Sequence, residues 1–444
     1  MPWQYTSPPG LASPPANWLP GTVTPIPDDT VAPNGSSGAA RAAASPSLAL
    51  SKGILASVVF VGAIAPLATD MYVPAFPLVA TELGAGATQV QLTLTTFFVG
   101  MALGQLVGGP VSDQRGRRTP LLLSLVVLTL ASVACALSPS IGLMMALRFV
   151  QGLSGGWAMV TARAIVVDLA RGVQLVKALN VIAGVGGIAP IVGPLLGGLI
   201  LQFSHWRVSF VLVAALSAAM VVAVAVAVPE TLPRERRRSG ELRELAHAAR
   251  QVVGNRRFVA YLVVMAFSMG VIFAYVATSA FILQSMNGLS PMLYSVDFAA
   301  NAVGLTLAML AASRLAGRVP TRTLILTGLV ATGAVGLALL IASLSGGMPL
   351  LVALVGFFVL MSAQGLVGPN AGALASNEVP EHAGTGSAVL GFLQWCMAGV
   401  IAPVAGLGGE RSALPMAVII VVLTAVSLVA MAVTRSPGLP QRLR

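Results

Sequence analysis

Twelve stretches of 18 to 26 largely apolar residues alternate along the chain with short polar connections. They run over residues 54–77, 88–111, 120–137, 141–163, 177–200, 208–229, 258–283, 292–313, 323–343, 349–372, 384–407 and 414–434. About 20 apolar residues in a row is the length an α-helix needs to cross a hydrocarbon core. The pattern therefore predicts an all-α integral membrane protein with 12 transmembrane helices. Strands of a transmembrane barrel would alternate apolar and polar residues over about ten positions, and these runs do not.

Composition agrees with that reading and narrows it. Of 444 residues, 56% are hydrophobic and 9% charged, against roughly 25% charged in soluble domains. A water-soluble enzyme is excluded. Three His and two Cys argue against a multi-ligand metal site or a disulfide scaffold, and no cofactor is expected. Cys135 and Cys396 lie inside apolar runs, where a buried, unreactive thiol is the expected state.

A net charge of +11 is a feature of nucleic-acid binders too, but its placement points to topology. Arg115, Arg117 and Arg118, then Arg171 and Lys177, then Arg314, Arg318 and Arg322 flank connections on one side. The central connection adds eight arginines between Arg234 and Arg257, whereas the opposite side shows Arg207 and Arg411. By the positive-inside rule both termini are cytoplasmic, and no nucleic-acid partner is needed to explain the charge.

The runs fall into six plus six. Residues 1–50 hold ten prolines and one basic residue, Arg41, which reads as a disordered cytoplasmic tail without a signal peptide. Residues 51–230 form an N-terminal six-helix bundle, 231–257 a basic cytoplasmic linker, 258–434 a C-terminal bundle, and 435–444 a cytoplasmic tail. Within the linker, the stretch with Glu241, Arg243, Glu244 and His247 suits a short amphipathic helix on the membrane surface. Two pseudo-symmetric bundles around a central cavity are a transporter layout. An internal echo supports it: Gly109 to Arg118 follows the second run, and Ser313-Arg314-Leu315-Ala316-Gly317-Arg318 follows the eighth.

Ionisable residues inside membrane spans are costly and mark function by default. Asp70, Arg148 and Asp297 lie well inside. Counting from the nearer span ends, Asp70 sits roughly 12 Å deep and Arg148 roughly 10 Å deep, so the two opposite charges are expected to pair in the first bundle. Asp70 is the candidate proton or substrate carrier, with Arg148 tuning it or holding helices together. Asp297, nearer a span end, reads as either functional or water-facing. Polar candidates for the cavity are Gln151, Asn301, Gln364, Asn370 and Gln394, with Tyr72, Trp157, Phe273 and Trp395 as aromatic ones. Helix–helix hydrogen bonding or packing is the competing reading for each.

The turn after the second run combines Gly109, Asp113, Gly116, Arg117 and Arg118, with Asp168 as a partner for one arginine. Such a cluster suits a latch that holds one conformational state. The fifth run carries Gly184, Gly186, Gly187, Gly193, Pro194, Gly197 and Gly198, which suit close packing and a pliant bend.

At these residues the chain resembles the major facilitator superfamily, in particular its drug:proton antiporters of the Bcr/CflA type. Gly109 to Arg118 resembles the signature loop between helices 2 and 3. Arg148-Phe149-Val150-Gln151-Gly152 resembles the fourth-helix motif associated with proton coupling, and Gly193-Pro194-Leu195-Leu196-Gly197-Gly198 the fifth-helix motif of antiporters. Thr69 to Pro77 is similar to the subgroup's first-helix signature, Pro229-Glu230-Thr231-Leu232 to its exit from helix 6, and Gly368-Pro369-Asn370 and Gly384 to Ala388 to second-half segments. Ala189 and Asn180 depart from the small residues usual upstream in the antiporter motif. Gly62 stands where some related antiporters carry a second first-helix acid, which argues against a two-carboxylate scheme there.

The resemblance implies a monomer in a bacterial inner membrane, surrounded by lipid, that exports drugs such as chloramphenicol or amphiphilic metabolites in exchange for protons. A proton symporter importing a nutrient shares the fold and Asp70, with the Gly193-Pro194 motif against it. A membrane-embedded enzyme lacks any supporting motif, and a receptor would usually append a folded soluble domain.

Overall fold

The computed structural model of the chain describes residues 50–237 and 250–434. The tails and the stretch expected to form a surface helix lie outside the described residues.

Helices α1 (Lys52–Asp70), α3 (Ala87–Arg115), α4 (Arg118–Ala136), α5 (Ile141–Leu169), α6 (Gly172–Phe203) and α7 (Arg207–Ala227) make the first half. A short helix α2 (Phe76–Glu82) follows α1. The second half holds α8 (Arg256–Ala280), α9 (Pro291–Leu315), α10 (Thr321–Leu344), α11 (Leu350–Asn377), α12 (Ala383–Ala405) and α13 (Leu414–Val433). Eleven membrane-length apolar spans are present among the described residues. Helix α5, at 29 residues, is long enough to make a twelfth while carrying Arg148, Gln151, Arg163 and Asp168. The expected all-α fold with six helices per half is what the chain adopts.

Each half packs mainly within itself, and the halves meet along α3 against α12 and α6 against α9. Sequence explains the closest approach inside the first half. Gly100, Gly104 and Gly108 on α3 recur every four residues, as do Gly152 and Gly156 on α5. A methyl at Gly104 would collide with the carbonyl of Leu153, and one at Gly152 with that of Phe97. Without side chains there, the two backbones touch.

Several helices run a turn or more beyond the expected spans, and two departures bear on the site. The first run is not one helix: α1 stops at Asp70, Val73–Ala75 forms a 3₁₀ turn, and α2 restarts at Phe76. Pro74 and Pro77 have no N–H to donate and cannot continue the ladder. The second run is longer than expected, because α3 continues to Arg115. Gly109 and Asp113 therefore stand on a helix, and the turn consists of Gly116 and Arg117.

The internal echo holds at the backbone. Gly116 (φ +93°) and Gly317 (φ +82°) both take the left-handed conformation that favours glycine, one after each corresponding helix. These turns lie at the basic end of the molecule, and the opposite end carries Arg207 and Arg411.

At that opposite end three side chains bond from one half to backbone carbonyls of the other. Gln284 Nε2 donates to Pro74 O (3.0 Å), Gln91 Nε2 to Ala277 O (2.9 Å), and Thr88 Oγ1 to Gly406 O (2.8 Å). The Pro74 carbonyl is available because the break in α1 freed it.

Candidate functional site

Between the halves lies a cavity of about 250 Å³, walled by Pro66, Thr69 and Asp70 of α1, residues of α3 and α6, and α8, α9, α11 and α12 of the second half. Phe98 sits 4.3 Å from Phe273 and 5.5 Å from Trp395, centroid to centroid, so one aromatic group is shared by both halves. Met101, Met269 and Met361 fill in beside it. Thioethers adapt to ligands of different shape. A second chamber of about 420 Å³ shares Gly186, Pro190 and Leu305 with the first and extends toward the basic end past Gln364 and Gln394.

Asp70 supplies the carboxylate of this wall. It is 7% exposed, and its Oδ1 accepts from Thr69 Oγ1 at 3.1 Å. No Lys, Arg or His among the described residues forms an ion pair with it. Helix α6 is pressed onto this point: the space for a side chain at Gly193 is taken by the Cβ of Asp70, and at Gly197 by the carbonyl of Met71. Gly198 faces Ser295 of α9 instead. The glycine run thus divides by task, since Gly186 and Gly187 border the chambers and Gly193 and Gly197 seat the break in α1.

The expected Asp70–Arg148 pair is not formed. Arg148 is completely buried, and its Nη1 donates to Ala68 O (3.0 Å) and Gln151 Oε1 (2.7 Å). The reason lies in the break: the Tyr72 N–H turns to Thr69 O, leaving Ala68 O for the guanidinium. Phe97 covers the guanidinium at 4.3 Å, with Tyr72 at 5.2 Å and Phe210 at 5.7 Å. Nε and Nη2 have no hydrogen-bond partner among the described residues.

Several polar candidates prove to bond helices together rather than face the cavity. Gln151 donates to Ser132 Oγ (2.8 Å), joining α5 to α4. Tyr72 is buried among Phe76 and Phe210, with its hydroxyl accepting from Thr93. Trp157 packs over Gly108 in the α3–α5 seam. Asn370 donates to Leu366 O within its own helix. Asn301 donates to Tyr275 Oη and Asp297 Oδ2, each at 2.9 Å. Gln364 does border the second chamber, yet it is bonded to Ser268 (2.6 Å) and Thr332 (2.8 Å). Gln394, Phe273 and Trp395 line the chambers. Phe98, Phe298 and the methionines were not singled out from the sequence, because an apolar residue in an apolar helix carries no mark of which way it faces.

At the basic end, Arg117 Nη1 bonds Asp113 and Ser112 Oγ (2.8 Å), and its Nε bonds Asp168 Oδ2 (2.9 Å). Burial works against its charge, but Asp168 and Asp113 outweigh that and hold the guanidinium above its ordinary range. Glu230 completes the cluster by accepting the backbone N–H groups of Arg117 (2.7 Å) and Arg118 (3.3 Å), which caps the start of α4. Two expectations need correction. Gly109 takes no part in this cluster, and the Arg118 guanidinium bonds the Ala225 carbonyl rather than an acid. All these partners belong to the first half, so the cluster ties α3, α4, α5 and the exit from α7 together.

Comparison with known proteins follows the same lines. The model of the Major Facilitator Superfamily matches residues 58–403. The MFS-type transporter YdgK of Bacillus subtilis is 34% identical over 80% of this chain and 89% of its own. The bicyclomycin resistance protein homolog of Haemophilus influenzae is 31% identical over 79% and 88%. The multidrug resistance protein MdtL of Escherichia coli is 30% identical over 77% and 86%. Among solved structures, a D-xylose-proton symporter aligns with a TM-score of 0.69 at 15% identity, covering 86% of this chain and 97% of that one. A bacterial homolog of the lysosomal transporter Spinster, inward-facing and unoccupied, aligns at 0.67 with 16% identity, over 85% and 95%. These two likenesses concern the fold.

Proposed function

Since the chain belongs to the Major Facilitator Superfamily and is a multi-pass membrane transporter rather than an enzyme, we propose that it exports amphiphilic drugs or metabolites in exchange for protons. One observation carries this reading: among the described residues Asp70 stands without a cationic partner, in the wall of a largely apolar, aromatic cavity shared by both halves. Such a wall suits a flat or apolar ligand, and a lone carboxyl in it is the group to carry a proton. A hydrophilic nutrient would need several hydrogen-bonding side chains there, and of the groups lining the smaller chamber only Thr69, Asp70 and the Trp395 indole are polar. The relatives named for bicyclomycin and multidrug resistance favour export as well.

In this scheme the protein is a monomer in a bacterial inner membrane, and the basic end with both termini faces the cytoplasm. Substrate enters from that end while the opposite end is held shut by Gln91, Gln284 and Thr88. Asp70 gives up its proton to the cytoplasm around that step. The halves then rock, and protonation of Asp70 from outside favours release. Where the cycle moves net charge, the membrane potential contributes about 2.3 kcal/mol per charge per 100 mV.

The test is flux of chloramphenicol and of ethidium into inside-out vesicles under an imposed pH gradient, native chain against Asp70→Asn. Gradient-driven uptake that disappears in the variant is the expected result. Unchanged uptake in Asp70→Asn would make the carboxyl structural and overturn the scheme.

A further inference from the structure

Helix α9 carries a second carboxyl that the scheme above leaves unused. Asp297 lies six residues into α9, beside Phe298, which lines the cavity. Its Oδ2 accepts from Asn301 Nδ2 at 2.9 Å, and the same amide nitrogen donates to Tyr275 Oη at 2.9 Å. Asn301 is 1% exposed, and its Oδ1 has no hydrogen-bond partner among the described residues. A buried carbonyl oxygen with no donor is unfavourable. An ionised carboxylate accepts only and cannot supply one.

The surroundings offer no cation to hold Asp297 ionised. Helix α9 packs against α11, α6, the Val73–Ala75 turn and the Phe281–Met286 turn. Helix α11 and both turns contain no titratable residue, and the one on α6 is Lys177, near its basic end. The titratable neighbours are Tyr275 from α8, Tyr294 on α9 itself, whose hydroxyl lies 2.9 Å from Ser279 Oγ, and Asp70 across Tyr294. No ion pair to Asp297 occurs among the described residues.

We infer that Asp297 is a second proton-binding carboxyl, placed in the C-terminal half, that holds its proton against Asn301 while the end opposite the basic cluster is closed. A small rotation of the protonated carboxyl lets its O–H donate to Asn301 Oδ1 while its other oxygen keeps the bond from Nδ2. The acid and the amide then form a two-bond ring, and the orphaned acceptor is satisfied. Exchanging the amide's oxygen and nitrogen does not remove the need: Tyr275 could then donate to the oxygen, but that oxygen would stand 2.9 Å from a carboxylate oxygen, a contact that is unfavourable without a proton between them. The step is one proton transfer: an O–H bond of hydronium breaks as one forms on an Asp297 oxygen, leaving neutral water and a neutral carboxyl, and the reverse transfer to water restores hydronium and the carboxylate. Helix α9 meets α6 at Ser295 and Gly198, so the change of charge falls one helical turn or less from a contact between the halves. Its part in transport rests on the antiport reading. The proton site itself rests on the geometry.

Infrared difference spectroscopy of the purified full chain in lipid, titrated through neutral pH, tests the proton site without any substrate. The expected result is a protonated-carboxyl C=O band that survives in Asp70→Asn and is lost when the near-isosteric Asp297→Asn is added to it. In Asn301→Leu the band should move to higher wavenumber, as the bond from the amide is removed. Absence of the band in Asp70→Asn, or its persistence in the double variant Asp70→Asn/Asp297→Asn, would overturn the inference. Ethidium uptake into inside-out vesicles then separates the two readings. Loss of gradient-driven uptake in Asp297→Asn supports a coupled role, and native-level uptake in that variant overturns it. A native chain that moves no ethidium counts against the export scheme for that compound, while the infrared result still decides the proton site.

Discussion

Arg148 hydrogen-bonds the carbonyl oxygen of Ala68 at 3.0 Å. The guanidinium is tied to the backbone two residues before Asp70 rather than to the Asp70 carboxylate. It therefore braces the broken end of α1 against α5, and the aromatic rings of Phe97, Tyr72 and Phe210 cover a cation that has no counter-ion among the described residues.

A buried cation without an acidic partner costs folding energy that an apolar side chain of similar length does not. Arg148→Met is expected to leave the melting temperature of the purified protein unchanged or higher, while gradient-driven flux is lost. A fall in melting temperature equivalent to more than about 3 kcal/mol would instead mark Arg148 as a net stabiliser.

Gly104 and Gly152 allow α3 and α5 to touch backbone to backbone. Gly104→Val forces side-chain atoms into the Leu153 carbonyl and is expected to cost at least about 1–3 kcal/mol. Thermal unfolding in detergent would show it. Gly184→Val, where nothing lies within 4 Å of the added carbon, is the control and should be nearly silent.

Gly116 combines a φ of +93° with crowding from Glu230 Oε2. Gly116→Ala is expected to destabilise by roughly 1–3 kcal/mol, because this backbone region is almost closed to other residues. Glu230→Ala, which uncaps α4, should cost about 1 kcal/mol. Both are read from melting temperatures, and an unchanged value for Gly116→Ala would contradict the assigned turn.

Phe98 and Trp395 line the cavity, whereas Trp157 sits in the α3–α5 seam. If an aromatic compound such as ethidium stacks there, Trp395→Ala should weaken its binding about fivefold, corresponding to about 1 kcal/mol. Equilibrium dialysis measures this directly. Trp157→Phe should leave the affinity unchanged, and the opposite ranking would put the binding site elsewhere.

Much of the fold was legible because membrane spans announce themselves by length. The cluster at the basic end was legible in part: Asp113, Arg117 and Asp168 meet as the charge pattern suggested, whereas Glu230 enters from 113 residues along the chain to accept the Arg117 N–H. The four-residue spacing of glycines on α3 and α5 is a readable packing signal, although the glycines of α6 drew the attention. The cavity was least legible. Tyr72, Gln151 and Asn370 looked like site residues because they are polar or aromatic, yet each spends its polar group on a neighbouring helix or on its own backbone.

What the sequence alone determined is the order and approximate limits of the membrane spans, together with the few ionisable groups buried among them. Those follow from local properties, since 20 apolar residues or a buried carboxyl carry the same meaning wherever the chain runs. The tertiary structure decided which faces line the cavity and which groups pair. Helices apolar on every side show no preferred face, and one proline-driven break in α1 exposed the Ala68 carbonyl that took Arg148 away from Asp70.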